Sequence, residues 1–165
     1  MNSLGDAYIR AGRWNHAESL FQHTLQKYET FLGPDHPNTL GSLAALALVY
    51  RDTGRLPDAI VVLEREVERN RIKSGLEHRN TILWMHTLAM TYQKAGRLCE
   101  ADRMLREALR CARPDDSNAA IRTANLRAHL GLNLLKQGEY AAAEPLVRES
   151  LAIWDKDYPD SWRRF

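Results

Sequence analysis

Apolar positions between residues 43 and 63 follow two helical periods with a glycine between them. The first segment is apolar at the i, i+3, i+4, i+7 spacing of one helix face: Leu43, Leu46, Ala47 and Tyr50. Gly54 predicts the end of this helix, and Pro57 suits the first turn of the next one. The second segment resumes the apolar period at Leu56, Ala59, Ile60 and Leu63. The pattern predicts a helix, a short turn and a second helix.

This unit recurs every 42 residues. The step links four glycines, Gly12, Gly54, Gly96 and Gly138. It also links four alanines, Ala17, Ala59, Ala101 and Ala143, and four small residues, Gly5, Ala47, Ala89 and Gly131. The period predicts an all-α chain of four helix-turn-helix repeats, about eight helices, because no β-rich segment interrupts it. The repeats are placed at about 1–37, 38–79, 80–121 and 122–158, and 159–165 would start a cap or a fifth repeat.

Polar connectors separate the repeats: GPDHPNT at 33–39, GLEHRNT at 75–81 and SNAAIRT at 117–123. Gly33 can stop a helix, and Asp35, or Asn38 with Thr39, can start the next one. His36 occupies the same connector position as His78, which favours a structural role at the start of a helix. The second helix is expected to reach about Ser74, and the charged run EREVERNR within it is assigned to a solvated face.

Composition and charge argue against two classes of function, nucleic-acid binding and membrane association. The 165 residues carry 23 Lys and Arg against 21 Asp and Glu, and this net charge of +2 is too small to suggest a nucleic-acid partner. Because no apolar run approaches the ~20 residues of a membrane span, we expect no membrane association. The N-terminus lacks the layout of a signal peptide, which favours a cytoplasmic protein.

Candidate chemistry is sparse. Cys99 and Cys111 would lie about 18 Å apart along one helix, too far for a disulfide, and are expected to be reduced and partly buried. No CxxC, HExxH or calcium-loop motif occurs, so neither a metal nor a cofactor is expected. Gly54 follows a helix and lacks a GxGxx sequence before it, which argues against a nucleotide loop. With no Ser, His and Asp fixed together, we expect no catalytic residue and no enzyme.

The repeat resembles a known family. Its small residues and the alanine five positions after each glycine are similar to the pattern of tetratricopeptide repeats. The 42-residue period, the stretch LALVYRDTGR and the connector GPDHPNT resemble the kinesin-light-chain type. The resemblance implies a right-handed α-solenoid whose first helices line a concave groove. It also implies a protein–protein interaction scaffold that binds an extended peptide or partner segment.

The helical period assigns residues to such a groove. An apolar row would form its floor: Leu48, Met90 and Leu132. A mainly basic row would form one rim, with Asp52 partly offsetting it: Arg10, Arg51, Lys94 and Lys136. Asp6, His86 and Gln93 are assigned to the same face. These residues suit a peptide with an apolar or aromatic anchor beside acidic residues. Alternatively, the apolar row packs against neighbouring helices and the basic residues are ordinary solvated charges.

Two histidines lie at or near this face. His86 and His129 could respond to mild acid, although solvated side chains are the simpler interpretation. The family often carries an asparagine pair just before the Leu-Ala of the first helix, where it holds the ligand backbone. This chain has Ala44-Ala45, His86-Thr87 and Ala128-His129 there, and only Asn2-Ser3 comes close. The sequence therefore departs from the family pattern at the residues that hold the ligand.

Self-association is the second hypothesis. A solenoid needs polar caps, yet Leu146, Leu151 and Ile153 would lack a covering helix apart from Trp162 and Phe165. Such exposed apolar ends predict either a homodimer through the uncapped ends or a piece of a longer array. The chain could equally be a regulatory repeat segment of a larger signalling protein.

Overall fold

A computed structural model describes residues 3–112 and 119–157, with only the backbone given for Ser3 and Asp157. Within these ranges the chain forms eight helices and no strand: α1 (Ser3–Arg10), α2 (Trp14–Leu32), α3 (Pro37–Asp52), α4 (Leu56–Ser74), α5 (Arg79–Lys94), α6 (Leu98–Cys111), α7 (Ala119–Gln137) and α8 (Tyr140–Asp157). The predicted all-α class is confirmed. The Asn2, Trp162 and Phe165 positions, the 159–165 segment and part of the third connector lie outside the described residues.

The helices follow one another as four pairs, and within each pair a glycine lies in the turn between the two helices. The predicted end of α4 at Ser74 is confirmed. α3 begins at Pro37, because proline at the first helical position loses no hydrogen bond. The repeat boundaries proposed from the sequence stay predictions.

The chain divides into two compact units, Met1–Val62 and Leu63–Phe165. In the first unit α2 packs against α1 and α3, around a buried cluster formed by Ala17, Phe21, Leu46, Val49, Tyr50 and Ala59. In the second unit α6 packs against α5 and α7, α7 packs against α8, and α5 also contacts α7. The predicted apolar face of α3 is confirmed, although Leu43 is only half-buried.

The Gly-Arg pair between α3 and α4 is a helix stop joined to a small side-chain cluster. Gly54 has φ of +82°, a left-handed conformation that favours glycine. The Arg55 guanidinium lies 4.3 Å from the centre of the Tyr50 ring and pairs with Asp58 at 2.7 Å. The same arrangement recurs 42 residues later with Tyr92, Gly96, Arg97 and Glu100. The Gly-Arg pair is therefore part of the turn that joins the two helices of a pair.

The two connector histidines cap helices. Nδ1 of His36 accepts the backbone N–H of Asn38 at 3.2 Å, and Nδ1 of His78 accepts that of Asn80 at the same distance. Three residues after each histidine, a threonine hydroxyl donates at 2.8 Å to the carbonyl of the connector glycine. The structural role at the helix start is confirmed. The assignment of that role to Asp35, or to Asn38 with Thr39, is corrected, because the imidazole satisfies the free N–H group.

Small residues sit where helices approach closely. A Cβ placed on Gly5 would overlap the ring of Phe21, and one placed on Gly131 would lie 2.7 Å from Cγ2 of Val147. Ala47 and Ala89, the equivalents in the second and third pairs, are almost fully buried. The row of small residues is therefore a set of close-contact positions.

Two expectations about exposure are wrong in part. In the charged run 64–71, Glu66 is 2% exposed and Asn70 is also buried. The side-chain N–H of Asn70 donates to the backbone carbonyl of Glu66 at 2.8 Å, which offsets the cost of burying that amide. Arg69 lies 3.4 Å from the Glu66 carboxylate, which offsets the burial of that charge. Cys99 and Cys111 are free thiols on one helix, as predicted, but Cys99 is exposed rather than partly buried. Over residues 3–112 and 119–157, no helix combines the length and apolar character of a bilayer span.

Candidate functional site

The first helices of the third and fourth pairs, α5 and α7, are in contact and share α6 as a packing partner. On the faces of α5 and α7 turned away from this core, three leucines remain exposed. Leu83 is 53%, Leu132 50% and Leu135 39% exposed. We define the α5–α7 face by the residues that lie within about 120° of one another on each helix: Leu83, His86, Met90, Gln93 and Lys94 on α5, and Asn125, His129, Leu132, Leu135 and Lys136 on α7.

Polar side chains join the two helices at this face. Nε2 of His86 lies 3.0 Å from Nδ1 of His129, and the rings meet edge to face with centroids 4.7 Å apart. Nε2 of Gln93 donates to the backbone carbonyl of His129 at 2.8 Å. Two side chains of α5 thus hold the same residue of α7, so His129 fixes the position of α7 beside α5.

The hydrogen-bond partners define the protonation of the pair. Nδ1 of His129 also lies 2.9 Å from the carbonyl of Asn125, which can only accept. Nδ1 of His129 therefore carries the proton and Nε2 of His86 accepts it. Burial, together with the charge of a protonated His129, lowers the pKa of His86 from 6.5 to about 4. His86 is thus neutral at pH 7. The interpretation of His86 as a solvated side chain is wrong, because the ring is half-buried against His129, and its response to acid stays a prediction.

The groove residues predicted in the second unit share this face. Met90 and Gln93 are half-buried, whereas Lys94, Leu132 and Lys136 are exposed. The sequence did not reveal that His86 contacts His129 or that Gln93 binds the His129 backbone. The sequence placed His129 at or near this face, and Ala128-His129 occupies the position of the family's asparagine pair.

In the first unit, the predicted groove residues are less exposed. Asp6, Leu48 and Arg51 are half-buried, and Arg10 is exposed. The Arg51 Nε lies 3.1 Å from the Asp52 carboxylate, so Asp52 offsets this charge, as predicted. The apolar row and the basic rim that would join residues of both units stay predictions.

Asp6 also lines a cavity of about 310 Å³ between the helices of the first unit. The wall of the cavity is otherwise uncharged and includes Phe21, Tyr28, Gly41 and Ala44. An added Cβ on Gly41 would meet no atom within 4 Å, so the glycine leaves space open there. The equivalent residue 42 positions later, Leu83, carries a full side chain. The cavity is therefore a local feature of the first unit, where α1, α2 and α3 contribute its lining.

Among residues 3–112 and 119–157, no three His, Cys, Asp or Glu side chains meet in a cluster that could hold a metal ion. His86 and His129 make their hydrogen bonds to each other and to the backbone carbonyl of Asn125. At the last helix, Leu151 is exposed and Leu146 and Ile153 are half-buried, and whether α8 carries an association surface stays a prediction.

Sequence comparison adds the family. Models of the tetratricopeptide repeat match residues 1–72, 44–113 and 123–156. The chain is 39% identical over 64 residues to the protein KINESIN LIGHT CHAIN-RELATED 2 of Arabidopsis thaliana. The match covers 39% of this chain and 10% of that protein, so the chain spans about a tenth of the relative.

Solved structures share the fold. The TPR-like repeats of a candidate kinesin light chain from Podospora anserina superpose with a TM-score of 0.77 at 22% identity, covering 95% of this chain and 74% of that one. BtubC (BKLC) from P. vanneervenii gives 0.80 at 16%, covering 91% and 60%. Bacillus thuringiensis PlcR, solved with the peptide PapR7 and DNA, gives 0.76 at 18%, covering 92% and 52%.

These matches agree with the helix pairs of the structure. Tetratricopeptide repeats act in general as scaffolds for protein–protein interaction and are not a family of enzymes. The chain belongs to the tetratricopeptide repeat family, and over 64 residues it is similar to a kinesin light chain-related protein.

Proposed function

We propose that the chain binds an extended segment of a partner protein on the α5–α7 face. The observation that carries the proposal is the exposure of Leu83, Leu132 and Leu135 on two adjacent helices that His86 and His129 hold together. Exposed leucines gathered on one rigid face are typical of an interaction surface. Because Gln93 and the histidines already bond within the face, little side-chain entropy is lost when a partner binds.

The positive charge of the α5–α7 face indicates the kind of partner segment that it binds. Lys94 and Lys136 lie in the last turns of α5 and α7, and no acidic residue belongs to the face. His86 contributes no positive charge at pH 7, because its pKa is lowered to about 4. The partner therefore carries an apolar or aromatic anchor for the leucines and acidic residues for the lysines.

The first unit, taken by itself, carries the equivalent positions that the sequence assigns to a groove, and we propose a binding role for them separately. Leu48 stands 42 residues before Met90, and Asp6 stands 42 residues before Leu48. Arg10 and Arg51 supply the basic rim predicted from the sequence. The PlcR structure supports peptide binding in this fold, since it is a complex with the peptide PapR7.

Charge reversal at the exposed leucines tests the proposal. The probe is a fluorescein-labelled, proline-flanked peptide with one tryptophan between two pairs of glutamates, followed by fluorescence anisotropy. Leu83→Glu with Leu132→Glu should weaken binding at least tenfold, because the substitutions remove the apolar contact and repel the glutamates. Both side chains are exposed, so circular dichroism should show unchanged helicity.

Matched controls come from exposed apolar residues elsewhere. Val61→Glu with Ile72→Glu adds the same charge at residues of α4 that are also exposed, and this variant should bind like the parent chain. Equal weakening in both variants, or no weakening in either, would contradict the proposal. Leu48→Glu with Met90→Glu extends the test to the predicted groove floor.

Light scattering on the same samples separates peptide binding from self-association. The proposal expects the mass of the parent chain to be independent of concentration between micromolar and millimolar samples. A mass that doubles with concentration and returns to the monomer in Leu83→Glu with Leu132→Glu would assign the face to a second copy of the chain. That outcome would overturn the peptide proposal.

A further inference from the structure

A second surface lies on another side of α7. A cavity of about 620 Å³ opens where α6, α7 and α8 meet, lined by Arg103, Arg106, Glu107, Leu109, Arg110, Leu130 and Leu146. Leu130 lies about 200° around α7 from Leu132, so this cavity faces away from the α5–α7 face. It is therefore a separate surface with its own lining.

The lining combines an apolar base with arginines. Leu130, from α7, is 2% exposed, and Leu109 and Leu146 are half-buried. Arg103, Arg106 and Arg110 lie at i, i+3 and i+7 on α6, so their side chains follow one side of the helix. The arrangement offers a shallow apolar depression bordered by guanidinium groups.

The balance of charge at this cavity is positive. Asp102 neutralises Arg106 at 2.8 Å, whereas Arg103 and Arg110 make no ion pair within the described part of the chain. Glu107 is the one carboxylate in the lining. Guanidinium groups favour carboxylates through paired, directional hydrogen bonds.

We propose that this cavity binds an acidic peptide segment of a partner protein in which two carboxylates flank one apolar side chain. Arg103 and Arg110 are seven residues apart, a rise of about 10 Å along α6. A peptide in the polyproline II conformation covers that length in about three residues and brings positions i and i+3 to the same side, whereas a β-strand would turn them to opposite faces. The segment therefore has an acidic–apolar–x–acidic order, with its carboxylates at Arg103 and Arg110 and its apolar side chain over Leu109, Leu130 and Leu146.

The site is independent of the α5–α7 face, so its test is run with that face disabled. The background is the Leu83→Glu with Leu132→Glu variant, and the probe is a fluorescein-labelled peptide centred on Glu-Leu-Ala-Glu. A probe of the same composition ordered Leu-Glu-Glu-Ala tests the spacing. We expect the first probe to bind at least fivefold more tightly than the second, and to bind more weakly as sodium chloride rises from 50 to 500 mM.

Arg103→Glu with Arg110→Glu in this background should weaken the first probe at least tenfold. The matched control, Arg65→Glu with Lys156→Glu, makes the same change in charge at exposed residues outside the cavity and should retain binding. Equal loss in both variants would reduce the effect to net charge and overturn the proposal. So would equal binding of the two probes. Leu109→Ala should lower affinity for the first probe without changing the salt dependence, and an unchanged affinity would remove the apolar contact from the proposal.

Discussion

His86 of α5 accepts a hydrogen bond from His129 of α7, with 3.0 Å between Nε2 and Nδ1. Asn125 shares the same proton at 2.9 Å, which leaves His129 as the donor and His86 as the acceptor. Protonation of His86 would place two N–H groups against each other. The contact therefore joins the two helices only while His86 is neutral.

Lowering the pH should destabilise the second unit through this pair. An unfolded histidine binds a proton near pH 6.5, whereas folded His86 has a pKa of about 4 because it is buried beside His129. The stability contributed by neutral His86 is thus complete above pH 6.5 and is lost as the pH falls towards 4. We expect the free energy of unfolding to fall by roughly 2–3 kcal/mol over this range from His86. Urea titrations at pH 7, 6, 5 and 4 measure the loss.

Variants separate His86 from the carboxylates that titrate in the same range. His86→Gln should reduce the slope of stability against pH between pH 6.5 and 4.5, because it removes the titrating ring. His23→Gln, at an exposed histidine of α2, should leave the slope as in the parent chain. A parent-like slope in His86→Gln would show that the pair carries none of the pH dependence.

The architecture could be predicted because each of its determinants recurs every 42 residues. Gly54 by itself predicts a helix end, and Ala59 by itself suits a close contact between helices. Because each has three counterparts at the same spacing, the helix pairs could be predicted along the whole array. The contact between His86 and His129 has no such repetition: 42 residues before His86 stands Ala44, and 42 residues after it Ala128. A contact formed once between two repeats depends on how the helices pack, and the period of the sequence does not contain that information.

The burial of single polar residues could not be predicted from the sequence for a related reason. The run 64–71 has the composition of a solvated helix face, yet Glu66 and Asn70 share the side of α4 that is buried. Asn133 occupies a buried position that is Val49 and Thr91 in earlier repeats, and its amide donates to the Leu98 carbonyl at 2.9 Å. Helical period identifies a buried side reliably when its residues are apolar and poorly when hydrogen bonds compensate polar ones.

The two thiols of α6 should react at different rates. Cys99 is exposed, whereas Cys111 is half-buried, and burial with the nearby Glu107 raises the pKa of the Cys111 thiol. Because the thiolate is the reactive form, Cys99 should be alkylated severalfold faster by iodoacetamide at pH 8. Peptide mass spectrometry of timed samples measures both rates. In 8 M urea the rates should converge, and a persistent difference there would assign the effect to local sequence instead of the fold.

The close approach at Gly131 should make it intolerant of a methyl group. Gly131→Ala places a Cβ 2.7 Å from Cγ2 of Val147, and we expect a loss of about 1–3 kcal/mol of stability from overpacking. Gly41→Ala is the matched control, since a Cβ at that helical position meets no atom within 4 Å. It should gain about 0.5–1 kcal/mol through helix propensity. Urea unfolding measures both, and a stabilised Gly131→Ala would show that α7 and α8 separate at little cost.

The histidine cap of α5 should contribute measurably to the start of that helix. His78→Ala removes the acceptor of the Asn80 N–H, which lies 3.2 Å from Nδ1, and we expect a loss of about 0.5–2 kcal/mol. His78→Asn restores a side-chain acceptor at the cap and should recover most of the stability, because asparagine favours this position. Hydrogen exchange should show faster exchange of the Asn80 amide in His78→Ala and near-parent exchange in His78→Asn.

The control is His23→Ala, within α2, which should change stability by less than about 0.5 kcal/mol. Equal stability of His78→Ala and His78→Asn would show that the hydrogen bond of the imidazole contributes nothing. The helix start would then depend on Thr81, whose hydroxyl donates to the Gly75 carbonyl.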